Sequence, residues 1–81
     1  MATARGGKLT NVETFTGTSA TGSDGATNRV LTLANTPGTI LNIIVQGASL
    51  MRTLDYTISS NEITFLNALW NDNNIEVVYA V

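Results

Sequence analysis

From Thr39 to Val81 the chain alternates apolar and polar positions and breaks at Asn, Asp, Ser and Gly. Leu41, Ile43 and Val45 interleave with Asn42, Ile44 and Gln46, and Tyr56 and Ile58 with Thr57 and Ser59. Ile63 and Phe65 interleave with Glu62, Thr64 and Leu66, and Ile75, Val77 and Tyr79 with Glu76, Val78 and Ala80. A period of two sends each set to one face of a strand. Such runs, packed this closely, predict a compact antiparallel β-module.

Upstream, Arg29 to Ala34 reads as a further strand, with Leu31 and Leu33 facing one way and Val30 and Thr32 the other. Asn35-Thr36-Pro37-Gly38 stops it, because Pro37 has no amide donor and restricts the residue before it. Leu9 to Thr16 predicts a first strand of open register, since its apolar residues Val12 and Phe15 are three positions apart. Gly17 to Asn28, rich in Thr, Ser, Gly and Ala, reads as a long loop or a loosely specified hairpin. Ala48 to Leu54 is too short for a stable helix and reads as a short strand or loop. Ser60-Asn61 marks a two-residue hairpin in which Asn61 tolerates positive φ. Asn71 to Asn74 forms a polar turn before the last strand.

The expected fold is therefore all-β: a small antiparallel β-sandwich of about six to seven strands over residues 9–81, preceded by a flexible N-terminal arm over 1–8. Leu31, Leu33, Leu41, Ile43, Val45, Tyr56, Ile58, Ile63, Phe65, Ile75, Val77 and Tyr79 form the expected core. Two strands keep an apolar second face, with Ile40 and Ile44 on one and Val78 and Ala80 on the other. Exposed apolar patches mark contact surfaces, so this face is the expected partner interface.

Composition sharpens that expectation. The chain has 81 residues, and a domain of this size buries only about 60–65% of its unfolded surface. With no cysteine and no histidine, it has no disulfide to help and lacks the commonest metal ligand and acid–base group. Burial against a partner is the remaining route to stability. The four basic residues are Arg5, Lys8, Arg29 and Arg52, against six acidic ones. They are scattered, whereas nucleic-acid binding needs a clustered basic face. Arg5 and Lys8 could touch an anionic partner or simply solubilise the terminus. The start has no apolar core of a signal peptide, and the apolar run near Ile40 to Val45 is far too short to span a bilayer. Synthesis in a cytoplasm without membrane association is expected.

Candidate chemistry is thin. Asp55 and Glu62 could flank a hairpin, but no other polar group supports acid–base work, and Asp55 suits a turn cap. Asp72, Asn73, Asn74 and Glu76 are oxygen-rich, yet their spacing is not that of a calcium loop; a solvated turn is the plainer reading. The glycines lack a phosphate-loop setting. The serines have no histidine to activate them. No catalytic residue, cofactor or metal is expected, and the chain is read as non-enzymatic. Among the aromatic residues, Tyr56, Phe65 and Tyr79 share faces with apolar neighbours and read as core. Trp70 sits in a connection and is a candidate glycan contact, or a cover for the end of the sandwich.

Glu13-Thr14-Phe15-Thr16-Gly17, a Thr/Gly loop, and Val30-Leu31-Thr32-Leu33-Ala34-Asn35-Thr36-Pro37 together resemble the opening of a small β-module of bacteriophage virion proteins. The likeness continues through Ile44-Val45-Gln46-Gly47, Leu50, Asp55-Tyr56-Thr57-Ile58-Ser59, Asn61-Glu62-Ile63-Thr64-Phe65 and Ile75-Glu76-Val77-Val78-Tyr79. The chain departs from that pattern at Leu54 and Ser60, where Gly usually stands, and at Trp70-Asn71, where a Pro/Gly turn is commoner. The resemblance implies a β-sandwich with structural and adhesive roles in capsid-surface, head-fibre and tail-fibre proteins, with no activity. The expected function is a virion structural protein, foremost a capsid-surface decoration or cement protein, with other virion proteins and its own copies as partners. Arg5, Lys8, Ile40, Ile44 and Val78 are its expected interface. The alternative is a tail-fibre or baseplate module, or a carbohydrate-binding module, touching host glycans through Trp70.

Overall fold

The computed structural model describes residues 10–81. Seven strands follow in order: β1 (Thr10–Thr16), β2 (Arg29–Thr32), β3 (Thr39–Val45), β4 (Ala48–Ser49), β5 (Tyr56–Ser59), β6 (Glu62–Phe65) and β7 (Asn74–Ala80), with one 3-10 turn at Gly17–Ser19 after β1. They form a four-stranded sheet of order β1-β7-β3-β4 and a three-stranded sheet of order β2-β6-β5. Every strand pairing is antiparallel. The fold is the expected all-β sandwich. Among the described residues no helix is long and apolar enough to cross a membrane.

The core lies between the inward faces. Ile75, Val77 and Tyr79 of β7 and Ile43 of β3 are buried, as are Leu31, Ile63, Phe65 and Tyr56 of the smaller sheet, with Leu33 and Leu69 closing the ends. Val45, Ile58, Phe15, Ile40 and Leu50 pack around this cluster. The alternation produces the packing directly: each odd position of β7 is buried and Glu76 and Val78 between them are half-exposed.

Leu41 departs from its expected core position and is 54% exposed. Ile40 pairs with Tyr79 but Asn42 with Val78, so β3 carries one extra residue there. A bulge of this kind reverses the facing of everything before it. Ile40 consequently turns inward and packs on the core, while Leu41 is pushed to solvent.

Two turns set register. Gln46 and Gly47 both have positive φ, 52° and 81°, and join β3 to β4 between the paired residues Val45 and Ala48. That is the geometry whose twist matches a two-residue hairpin. Between β5 and β6, Ser60 rather than Asn61 takes positive φ, at 55°. Asn61 instead donates its Nδ2 to Leu33 O at 3.0 Å and its own carbonyl accepts Leu33 N–H at 2.8 Å, tying the hairpin to the end of β2.

Candidate functional site

The two outer faces of the sandwich differ in kind. The three-stranded sheet presents Val30, Thr64 and Thr57 in one row and Thr32, Glu62 and Ser59 in the next: hydroxyls, a carboxylate and one half-buried valine. The four-stranded sheet presents Val12 beside Val78, and Thr14 beside Glu76 beside Ile44, with the bulged Leu41 close by along β3. Val12 and Leu41 are each 54% exposed, and Ile44 and Val78 are half-buried. Among the described residues nothing covers this face. A shallow depression of about 620 Å³ runs along one end of the same sheet, walled by residues including Thr14, Thr16, Ile44, Asn74 and Glu76. Among the described residues, Glu76 is its only ionisable wall residue.

Of the expected interface residues, the structure brings Ile44 and Val78 onto this outer face. It does not bring Ile40 there, because the bulge turns that residue inward. Leu41 and Val12 take its place. Arg5 and Lys8 lie outside the described residues.

At one end of the sandwich the loops are held by a buried cation. Arg29 is 2% exposed and sits in phase with Leu31 and Leu33 on the inward face of β2. Its Nε donates to Thr21 O at 2.7 Å and Nη1 to Leu69 O at 2.6 Å. Nη2 donates to Gly17 O at 3.0 Å, Ala20 O at 3.3 Å and Asn71 Oδ1 at 2.9 Å. No carboxylate is among these partners; oriented carbonyl dipoles balance the charge. Hydrogen bonds to a charged group are worth about 1.5–3 kcal/mol each, so this cage replaces the apolar content that the loop Gly17 to Asn28 lacks. Trp70 lies over it. A Cβ placed on Gly25, whose φ is +79°, would fall 2.5–2.9 Å from the indole ring, so the ring rests on glycine backbone. Trp70 is nonetheless 52% exposed. Its backbone N–H goes to Asn73 Oδ1 at 2.9 Å, and Asn71 N–H goes to Asp24 Oδ1 at 2.8 Å. These side-chain oxygens are committed to the loop itself.

Glu13, Tyr79, Asn35 and Ala34 form a second polar knot. The Tyr79 hydroxyl donates to Glu13 Oε2 and accepts from Asn35 Nδ2 at 3.3 Å. Ala34 N–H is shared between the two Glu13 oxygens at 3.2 Å. Burial, first, and then the neighbouring Glu13 carboxylate push the Tyr79 hydroxyl above its ordinary value of 10.0. The knot ties β1 to the segment after β2, with Tyr79 fully buried.

The remaining candidates are dispersed. Asp55 sits where β5 begins and Glu62 at the far end of the hairpin. Asp55 accepts Met51 N–H at 2.8 Å and Asn67 Nδ2 at 3.1 Å, the turn-capping role. Among the described residues no three His, Cys, Asp or Glu side chains converge as metal ligands. The site residue missed by the alternation is Arg29; its inward phase with Leu31 and Leu33 was the signal. No family model, no characterised relative and no solved structure matches this chain.

Proposed function

We propose that the chain is a non-enzymatic bacteriophage virion structural protein, a capsid-surface decoration or cement module that docks through the outer face of its four-stranded sheet. The observation that carries this reading is the contrast between the faces: one carries a single half-buried valine among hydroxyls and a carboxylate, and the other carries Val12, Leu41, Ile44 and Val78 among polar residues such as Thr14 and Glu76. Exposed apolar patches on small domains mark contact surfaces. Full burial of each such side chain contributes about 1.5–3 kcal/mol, and several together offset the entropy of association. The likeness of Asp55-Tyr56-Thr57-Ile58-Ser59 and Ile75-Glu76-Val77-Val78-Tyr79 to phage virion modules supplies the class of partner. Mass spectrometry and electron microscopy of purified particles test it: the protein is expected in virions, in many copies on the capsid surface. Its absence from particles refutes the reading.

A second reading, a glycan-contacting tail or baseplate module, draws on the half-exposed Trp70 ring seated on Gly25. Glycan-array binding that is lost in Trp70→Ala is its test.

A further inference from the structure

Among the described residues the sandwich has four sheet edges, and three are short and partly covered. β2 is covered by the loop before it: Thr21 N–H donates to Val30 O at 2.8 Å and Val30 N–H to Thr21 Oγ1 at 2.9 Å. β5 is covered by its own preceding turn, through Thr53 N–H to Tyr56 O at 2.7 Å and a bridge between Arg52 and Tyr56. β4 is two residues long. The fourth edge, β1, runs for seven residues with no proline, lysine or bulge, and its one charge, Glu13, is engaged with Ala34 and Tyr79. Proteins blunt exposed edges with those devices, because unpaired backbone groups are a template for another strand.

The hydrogen-bond phase of β1 shows which groups are free. One step beyond the last paired residues Thr16 and Asn74, Gly17 N–H donates to Asn73 O at 2.9 Å. Bonding alternates along an antiparallel ladder, so Asn11, Glu13 and Phe15 bond to β7. Thr10, Val12, Thr14 and Thr16 point their N–H and C=O groups to the side on which no described residue pairs. On the far side of β7, Gln46 N–H donates to Asn74 O at 2.9 Å, the phase this requires.

We infer that β1 pairs antiparallel with β1 of a second copy, joining two four-stranded sheets into one of eight strands. The registers that pair at least five residues of β1 with its copy centre on Val12, Glu13 or Thr14. A dyad at Glu13 sets the two Glu13 carboxylates opposite each other in a close, non-hydrogen-bonded pair, which is unfavourable. A dyad at Thr14 sets Glu13 against Phe15. A dyad at Val12 sets Val12 against Val12 and Thr10 against Thr14 in hydrogen-bonded pairs, and Glu13 against Asn11, a polar match. The Val12 register is the one the side chains fit, and a two-fold contact needs such a self-complementary patch. It also joins the two Val12–Val78 surfaces into one. The inference stands independently of what that outer face docks on.

The test begins with sedimentation of the isolated protein up to about 1 mM, near the weak limit of useful association. A concentration-dependent dimer is expected. Val12→Lys and Thr14→Pro should abolish it; the Thr14 N–H points away from β7, so the proline costs no bond within the monomer. Since the chain has no cysteine, single cysteines report the register whether or not those two variants fold. Val12→Cys should form an intermolecular disulfide and Thr10→Cys should not, because the paired Cα separation suits a disulfide only at the dyad. Amide exchange should show Val12 and Thr14 protected only at high concentration. A monomer throughout, a dimer insensitive to both variants, crosslinking at residue 10 but not 12, or protection of β1 only by a different protein would each overturn the inference.

Discussion

The two outer faces of this sandwich are made by the same alternation, yet one carries far more apolar surface than the other. In the three-stranded sheet the outward set is Thr32, Thr57, Ser59, Glu62 and Thr64 with Val30, and water satisfies it. In the four-stranded sheet the outward set includes Val12, Ile44 and Val78, and a bulge adds Leu41. Period two alone decides which residues share a face; it does not decide that a face is solvated. The difference teaches where the small domain keeps its unspent apolar surface. On the docking proposed above, folding and docking divide between separate residues, and that division is what experiment can break.

The largest effect should come from neither face. Arg29→Met removes all the cation's hydrogen bonds; the carbonyls of Gly17 and Leu69 keep the N–H groups of Ala20 and Gly25, but those of Ala20 and Thr21 lose their donor, and the change should cost at least about 3 kcal/mol. In a domain this size each kcal/mol lowers the melting temperature by about 4–8 °C, so thermal melting followed by circular dichroism will read it easily. A normal melt would mean that the loops around Trp70 are held by something other than the cation.

Tyr79→Phe comes next. It removes one hydroxyl from the Glu13–Asn35 knot and should cost about 1–3 kcal/mol through the partners left unpaired. It should also change the alkaline profile. The folded protein holds the Tyr79 proton more tightly than the unfolded chain, so the group's contribution is full below pH 10.0 and is lost as pH rises through the higher folded value. Denaturant titrations should show stability falling in that alkaline window for the wild type, and less steeply for Tyr79→Phe. An unchanged slope would take Tyr79 out of the account.

The outer faces should move stability least and separate most clearly in binding. Ile44→Lys and Val78→Lys should each alter folding by less than about 1 kcal/mol, as surface substitutions do, while weakening particle binding strongly. Thr57→Lys and Thr64→Lys on the polar face should change neither. If the first pair melts several degrees lower yet binds normally, the apolar face is ordinary core, and contact must lie on loops such as those around Gly22 and Trp70.

Much of this was legible in the alternation. β2, β3, β5, β6 and β7 coincide with its runs, and the three-residue gap between Val12 and Phe15 is resolved simply: they face opposite ways, Phe15 toward the core and Val12 to solvent. Leu41 and Ile40 were not legible, because a bulge is a property of the pairing between β3 and β7 and leaves no mark on the alternation of β3 alone. Nor was the positive φ of Ser60, which stands where a glycine would be expected and whose neighbour Asn61 is occupied with Leu33. The buried Arg29 was half-legible. Its phase was visible, but five carbonyl and amide acceptors converging from Gly17, Ala20, Thr21, Leu69 and Asn71 are a tertiary event.

The most direct test of the central claim is add-back to particles that lack the protein, with bound copies counted by co-sedimentation. Wild type, Thr57→Lys and Thr64→Lys should bind equally, and Ile44→Lys and Val78→Lys should bind at least tenfold more weakly while melting within a few degrees of wild type. Equal binding by all five proteins would contradict the assignment of docking to the four-stranded sheet.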